Sequence, residues 1–256
     1  MSDTAPTLED VSYEVTGDVA VIEIDRPAVM NSIRHQTVTE LEQAYERARE
    51  GDVEGIVLES AGDTIFCAGA DLEEIESYMD DVALLEEFLG DLQRVVLQFS
   101  QGPLPVIGCV DGAALAGGLE IVLGCDVVVA TPEATFGDQH ANFDLVAGGG
   151  GTQLLPRIVG PSRAKYLILS GDRIDAETAR EWGLISEVTE DAGERAQAVA
   201  DQITDAHPDV TRRAKELVET GLECSIQAGL TLEREVASKH LASDVARAGI
   251  ERFKRS

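Results

Sequence analysis

The chain is 256 residues long and carries 48 Asp and Glu against 20 Lys and Arg, a formal charge of −28. That length buries a sizeable core in one large domain, alone or with an appendage, and so acidic a composition argues against nucleic acid as a partner. Only Lys165, Lys215, Lys239 and Lys254 are lysines, and a carboxylate-rich, lysine-poor surface predicts a halophilic source, where concentrated salt screens self-repulsion.

Val11 to Val15 and Val19 to Ile24 are short β-branched runs on either side of Thr16-Gly17-Asp18, a hairpin pattern that Asp25-Arg26-Pro27 ends. From Thr37 the apolar residues Val38, Leu41, Tyr45 and Ala48 recur at helical spacing until Gly51-Asp52, and Ile56-Val57-Leu58 follows as a strand. The cycle repeats with an amphipathic helix through Leu84, Phe88, Leu92, Val95 and Phe99, a strand from Val106 to Val110, a buried helix from Leu119 to Leu123 and a strand from Val127 to Ala130. Such alternation predicts an α/β fold. Gly148 to Gly151 is too glycine-rich for regular structure and leads into a helix start at Thr152-Gln153-Leu154-Leu155. Beyond Val188 the pattern is helix alone, punctuated by His207-Pro208-Asp209, which divides the chain softly into a core, 1–200, and a helical region, 201–256. Leu217, Leu222, Leu230, Leu232, Val236 and Leu241 on those last helices serve either as intramolecular cover or as contacts between copies.

Two Gly/Ala-rich turns carry the chemistry. Phe66-Cys67-Ala68-Gly69-Ala70-Asp71-Leu72 follows the run Gly55 to Leu58, and Asp111-Gly112-Ala113-Ala114-Leu115-Ala116-Gly117-Gly118-Leu119-Glu120 follows the run Pro105 to Val110. Each leads into a helix, whose first N–H groups lack intrahelical partners and attract an anionic oxygen. Two such starts can form an oxyanion hole. Glu120 follows the second turn within one helical turn; between Leu119 and Ile121 its carboxyl loses solvation, which raises its pKa and suits it to acid–base work. The blander role of an acid in a first helical turn is to offset the helix dipole, for about 0.3–1 kcal/mol. Cys67, Cys109, Cys125 and Cys224 have no metal-ligand spacing and no disulfide framework, so they read as reduced and structural. The opening Met1 to Pro6 has no basic region followed by an apolar stretch, and no run has membrane-spanning length, which predicts a cytoplasmic protein without a membrane partner.

From about Val19 to Phe253 the chain resembles the crotonase, or enoyl-CoA hydratase/isomerase, superfamily. The resemblance rests on Ile24-Asp25-Arg26-Pro27 with Asn31, the blocks Ile56 to Leu72 and Pro105 to Asp126, Gly150-Gly151-Thr152-Gln153 with Arg157 and Gly160, Leu169 to Ile174, and Ala179 with Trp182 to Ile185. It implies a crotonase-like spiral of ββα units, shared with ClpP, and a C-terminal helical region that builds homotrimers or dimers of trimers. It also implies an acyl-CoA thioester as substrate, with no metal or further cofactor. Matched residue by residue, the oxyanion-hole amides are Ala70 and Gly117. Substrate or CoA contacts fall on Arg26, Ala68, Gly69, Asp71, Leu72, Gly118 and Gly148, and the first hydratase glutamate is Glu120.

The chain departs from the family at three places. The second glutamate position holds His140, with Asp138 or Asp144 at hand to orient it or act in its place. Ala147 stands where proline is usual, and Glu73-Glu74 follow Asp71-Leu72 where a CoA-binding lysine is common, which leaves Arg26, Lys254 or Arg255 for the phosphates. Imidazole exchanges protons near neutral pH, so His140 can serve as the second acid–base group or simply line the pocket. The resulting expectation is an enoyl-CoA hydratase; the alternatives are an isomerase or carbon–carbon lyase of the same superfamily, or a non-catalytic acyl-CoA-binding protein. A ClpP-like peptidase needs an activated serine, and neither turn contains one.

Overall fold

The computed structural model describes residues 8–255. The chain opens with an antiparallel hairpin, β1 (Val11–Thr16) and β2 (Val19–Ile24), in which Val11 faces Ile24 and Thr16 faces Val19. α1 (His35–Glu50) returns it to β3 (Gly55–Ser60), parallel to β2. From here three successive strands of the first sheet are each followed by a shorter strand of a second sheet. β3 is followed by β4 (Ile65–Cys67), β5 (Val106–Val110) by β6 (Ala113–Leu115), and β7 (Val127–Ala130) by β8 (Thr135–Gly137). Helices α2 (Leu72–Tyr78) and α3 (Val82–Gln101) join β4 to β5, and α4 (Gly117–Val122) joins β6 to β7. The expected alternation is therefore a ββα spiral. The second turn differs from expectation: three of its residues, Ala113 to Leu115, pair with β4 and β8 as a strand, because neighbouring backbones supply the ladder that alanines do not specify.

After β8 come a 3₁₀ turn (His140–Phe143), α5 (Gly151–Val159), α6 (Pro161–Ser170), β9 (Ile174–Asp175), α7 (Ala176–Trp182), β10 (Glu187–Val188) and α8 (Ala192–Thr204). α9 (Pro208–Leu222), α10 (Ile226–Leu241) and α11 (Asp244–Phe253) end the chain. The large sheet has the order β1-β2-β3-β5-β7-β10 and the small one β4-β6-β8-β9, in which β4, β6 and β8 are parallel and β9 is antiparallel.

The parallel strands are buried on both faces, so alternate residues enter different cores. Ile22, Ile56, Leu58, Val106, Val110 and Val128 point into the main core with α1 and α3. Val19, Val57, Ile107, Cys109 and Val129 point the other way, against Ala192, Ala196 and Ala200 of α8. Those alanines repeat every four residues, which lays one small-residue stripe of the helix flat on the sheet. Residue 200 thus lies inside a sheet-packed helix, and the change of character comes after Thr204: α9, α10 and α11 contain no buried residue. Lys215 of α9 nonetheless fastens that region to the core, donating to Phe99 O, Leu104 O and Asp126 Oδ2 at 2.6–2.8 Å.

Candidate active site

Because β4, β6 and β8 are parallel, their C-terminal ends lie along one edge, and the three segments that leave them are neighbours. These are Ala68 to Asp71, Ala116-Gly117 and Asp138 to His140. The first is clamped by backbone bonds: Ala68 N donates to Met30 O at 3.1 Å, Ile33 N to Gly69 O at 2.8 Å, and Asp71 N to Ile33 O at 2.8 Å. Ala70 N–H is skipped by this ladder. Asp71 then caps α2, accepting from Glu73 N at 3.3 Å. In the second segment Ala116 N donates to Gly137 O at 2.9 Å, and Ala116 takes φ 49° and ψ −117° before α4 begins at Gly117, whose N–H has no intrahelical acceptor. The two skipped donors are adjacent: a Cβ added at Gly117 would lie 3.5 Å from Ala70 N. Gly69 makes this approach possible, since its φ is 109° and a Cβ there would stand 2.9 Å from that of Ala116.

Glu120, one turn into α4, is 2% exposed, and its Oε1 accepts from Gly151 N at 2.8 Å. The glycine run expected to be irregular wraps this carboxylate. A Cβ at Gly149 would lie 2.5 Å from Glu120 Oε2, so only glycine fits there with the carboxylate in place. Burial pushes the Glu120 carboxyl above its ordinary value, outweighing the Gly151 N–H and the nearby His140, which favour the charged form. His140 is half-buried, with Nδ1 3.0 Å from Asp138 Oδ1. Burial alone would favour its neutral ring, but the hydrogen bond and charge of Asp138, with the charge of Glu120, raise its pKa above the ordinary histidine value. Of the two acids near His140 in sequence, Asp138 reaches the ring and is buried, whereas Asp144 is exposed. Burial also pushes the Cys67 thiol up to about 12, which suits packing and not nucleophilic attack.

A cavity of about 590 Å³ opens over these segments. Of the residues singled out in the sequence, Ala68, Ala70, Asp71, Leu72 and His140 line it, whereas Gly69, Gly117, Gly118, Glu120 and Gly148 do not; Ala116, Gln139, Phe143, Leu145 and Arg173, which sequence reasoning did not single out as site residues, line it as well. Phe143 and Leu145 lack any local motif, Arg173 falls in the Leu169 to Ile174 block without a role assigned to it, and the pairing of β8 with β9, with bonds from Gln139 and Asn142 to Gly171 O, brings its segment alongside. Gly118 lies behind the wall, where a Cβ would meet Cys67 O at 2.3 Å, and Gly148 O accepts from Gln93 Nε2 at 2.6 Å.

Arg26, expected on CoA, is engaged within the protein. Its Nη2 donates to Asp71 Oδ2 at 3.1 Å, Nη1 donates to Ser32 O, and Nε lies 3.4 Å from Asp10 Oδ1, leaving the side chain 12% exposed. It therefore braces the cap of α2. Lys254 and Arg255 are exposed beyond α11, with Arg255 3.4 Å from Glu251, and neither lines the cavity.

The enoyl-CoA hydratase/isomerase family model matches residues 14–256. The short-chain-enoyl-CoA hydratase of Clostridium acetobutylicum is 32% identical over 231 residues, covering 89% of this chain and 88% of that protein. Enoyl-CoA hydratase domain-containing protein 2, mitochondrial, of Mus musculus is 33% identical over 243 residues, covering 92% and 81%. The crystal structure of enoyl-CoA hydratase from Bacillus anthracis superimposes with a TM-score of 0.91 at 31% identity, covering 96% of each chain.

Proposed function

The chain belongs to the enoyl-CoA hydratase/isomerase family, and we propose that its reaction is the addition of water to a 2-enoyl-CoA. The observation that carries this reading is the adjacency of two skipped backbone donors, Ala70 N–H and Gly117 N–H, to a buried carboxyl one turn further on. When water adds at the β carbon of the enoyl group, negative charge moves through the conjugated system to the thioester oxygen. Donors aimed at that oxygen stabilise the enolate, and loss of one costs about 3 kcal/mol of barrier. Glu120 takes the proton from water, and the α carbon then receives one, so that one water is consumed and a 3-hydroxyacyl-CoA results. His140 assists as the second acid–base group, in the place where the hydratases carry glutamate. The apolar exposed side chains of α9 and α10, among them Val218, Leu222, Ile226 and Leu241, suit contacts between copies in a homotrimer or a dimer of trimers.

Isomerisation and carbon–carbon cleavage on the same enolate are the competing reading, and the replacement of the second glutamate by His140 favours it. Loss of the enoyl absorbance of crotonyl-CoA, followed in molar salt beside Glu120→Ala and His140→Ala, separates the two. Hydration with Glu120 as acid–base group predicts turnover that falls at least about 100-fold in Glu120→Ala. A wild-type protein that binds acyl-CoA but leaves crotonyl-CoA intact rejects the hydratase.

A further inference from the structure

The polar cluster at the cavity wall is larger than the two groups assigned to proton transfer. Asp138 is 1% exposed and does not line the cavity, yet its Oδ1 lies 3.0 Å from Nδ1 of His140, which does. A carboxylate only accepts, so the hydrogen of that bond sits on Nδ1 and the neutral ring leaves Nε2 bare. We propose that Asp138 is a positioning residue that holds the His140 ring as its Nδ1–H tautomer and presents Nε2 to the cavity for proton exchange. This rests on reading His140 as the second acid–base group.

The backbone is shaped for the pairing. Gln139 takes φ 63°, a left-handed conformation, and His140 N donates to Asp138 O at 2.8 Å, so the chain folds the imidazole back over the carboxylate two residues before it. Non-glycine residues hold such conformations where surrounding structure over-determines them. Burial binds the pair more tightly. Asp138 Oδ2 has no hydrogen-bond partner among the described residues, and His140 is the one side chain among them that donates to this carboxylate. A buried carboxylate with a single donor is costly to leave bare, so the ring is held against it. The other charged groups around the ring are Glu120 from α4 and Arg173, which reaches the same wall through Gln139 Oε1 at 3.2 Å. The arrangement uses the logic by which a carboxylate fixes a histidine's tautomer at many acid–base and metal sites.

The test uses ¹⁵N-histidine-labelled full-length protein. The chain has four histidines, so subtraction of the His140→Ala spectrum assigns the ring. Long-range ¹⁵N–¹H correlation should show His140 protonated at Nδ1 and titrating above 6.5. Asp138→Asn should mix the tautomers and lower that titration point. It should also reduce kcat about 100-fold with a shifted pH profile, while KM and acyl-CoA affinity hold. An Nε2–H ring in the wild type, or an unchanged His140 titration in Asp138→Asn, overturns the proposal. If Asp138→Asn does not fold, the wild-type tautomer still decides. A chain that hydrates crotonyl-CoA with an Nε2–H ring loses the positioning role and keeps the hydratase reading. One inert toward crotonyl-CoA, with an Nδ1–H ring released in Asp138→Asn, does the reverse.

Discussion

Ala116 has a backbone conformation that alanine ordinarily avoids, φ 49° and ψ −117°, and it sits between the strand and the helix that together aim Gly117 N–H. Such a conformation costs about 1–3 kcal/mol. Glycine would relieve it at an entropic cost of about 0.5–1 kcal/mol, so relief wins. Ala116→Gly should therefore stabilise the protein by up to about 2 kcal/mol in urea unfolding; an unchanged or lower midpoint would mean that the surrounding structure, and not the alanine, sets the balance. Glu120 and Gly117 were readable from sequence because three positions along a helix put a carboxylate one turn above an open N–H. The turn geometry at Ala116 was not, since nothing in an alanine announces a positive φ. Nor could sequence choose between Asp138 and Asp144, which flank His140 at short range; the left-handed Gln139 makes the choice.

Among the elements, the junction of β1 with α1 depends most on charge. Asp10 is 3% exposed and accepts from Arg34 Nε, Arg34 Nη2 and Thr37 Oγ1, each at 2.7 Å. Burial would raise its pKa, but these bonds and the neighbouring Arg26 outweigh it and hold the carboxyl below its ordinary 3.8. A depressed carboxyl contributes stability above the unfolded-state value and loses it as pH falls through the folded-state value. Acid should thus weaken the fold progressively below 3.8, and Asp10→Asn should flatten that limb of the stability curve while lowering stability at neutral pH. Thermal melts across the acid range check both; a limb of unchanged steepness in Asp10→Asn would assign acid sensitivity elsewhere. Longer elements such as α1, α3, β3 and β5 were legible from hydrophobic period, whereas β4, β6, β8 and β9, of two or three residues each, were not. A period needs more residues than these to show itself, and their strand state comes from the neighbours they pair with.

Over the whole molecule the dominant fact is the formal charge of −28. Raising KCl from about 0.1 M to about 2 M shortens the Debye length from about 10 Å to below about 3 Å, which removes most repulsion between separated surface carboxylates. The melting temperature should rise across that range, and light scattering in the same titration should show the mass of a trimer or hexamer emerging as repulsion between copies is screened. A melting temperature that is flat or falling with salt would mean that self-repulsion does not limit stability, and a monomer at every salt concentration would remove the proposed assembly. The exposed apolar residues of α9 and α10 lie on helices that contain no buried apolar residue, which is why cover by a second copy is the assembly question.

The order of strands and helices, the acidity, the two helix starts and the carboxylate beside the second were all present in the chain as local pattern. Local pattern suffices there because helix period, turn chemistry and the open N–H groups of a helix start depend on residues only a few positions apart. The folded molecule added what depends on distant segments meeting. The parallel second sheet brings residues near 70, 117 and 140 to one edge, and Arg26 is drawn into a brace with Asp10 and Asp71. Glycines 149 and 151 close on Glu120, and Asp138 is buried behind His140. Those outcomes rest on burial and on register between strands far apart in sequence, neither of which any short stretch of residues encodes alone.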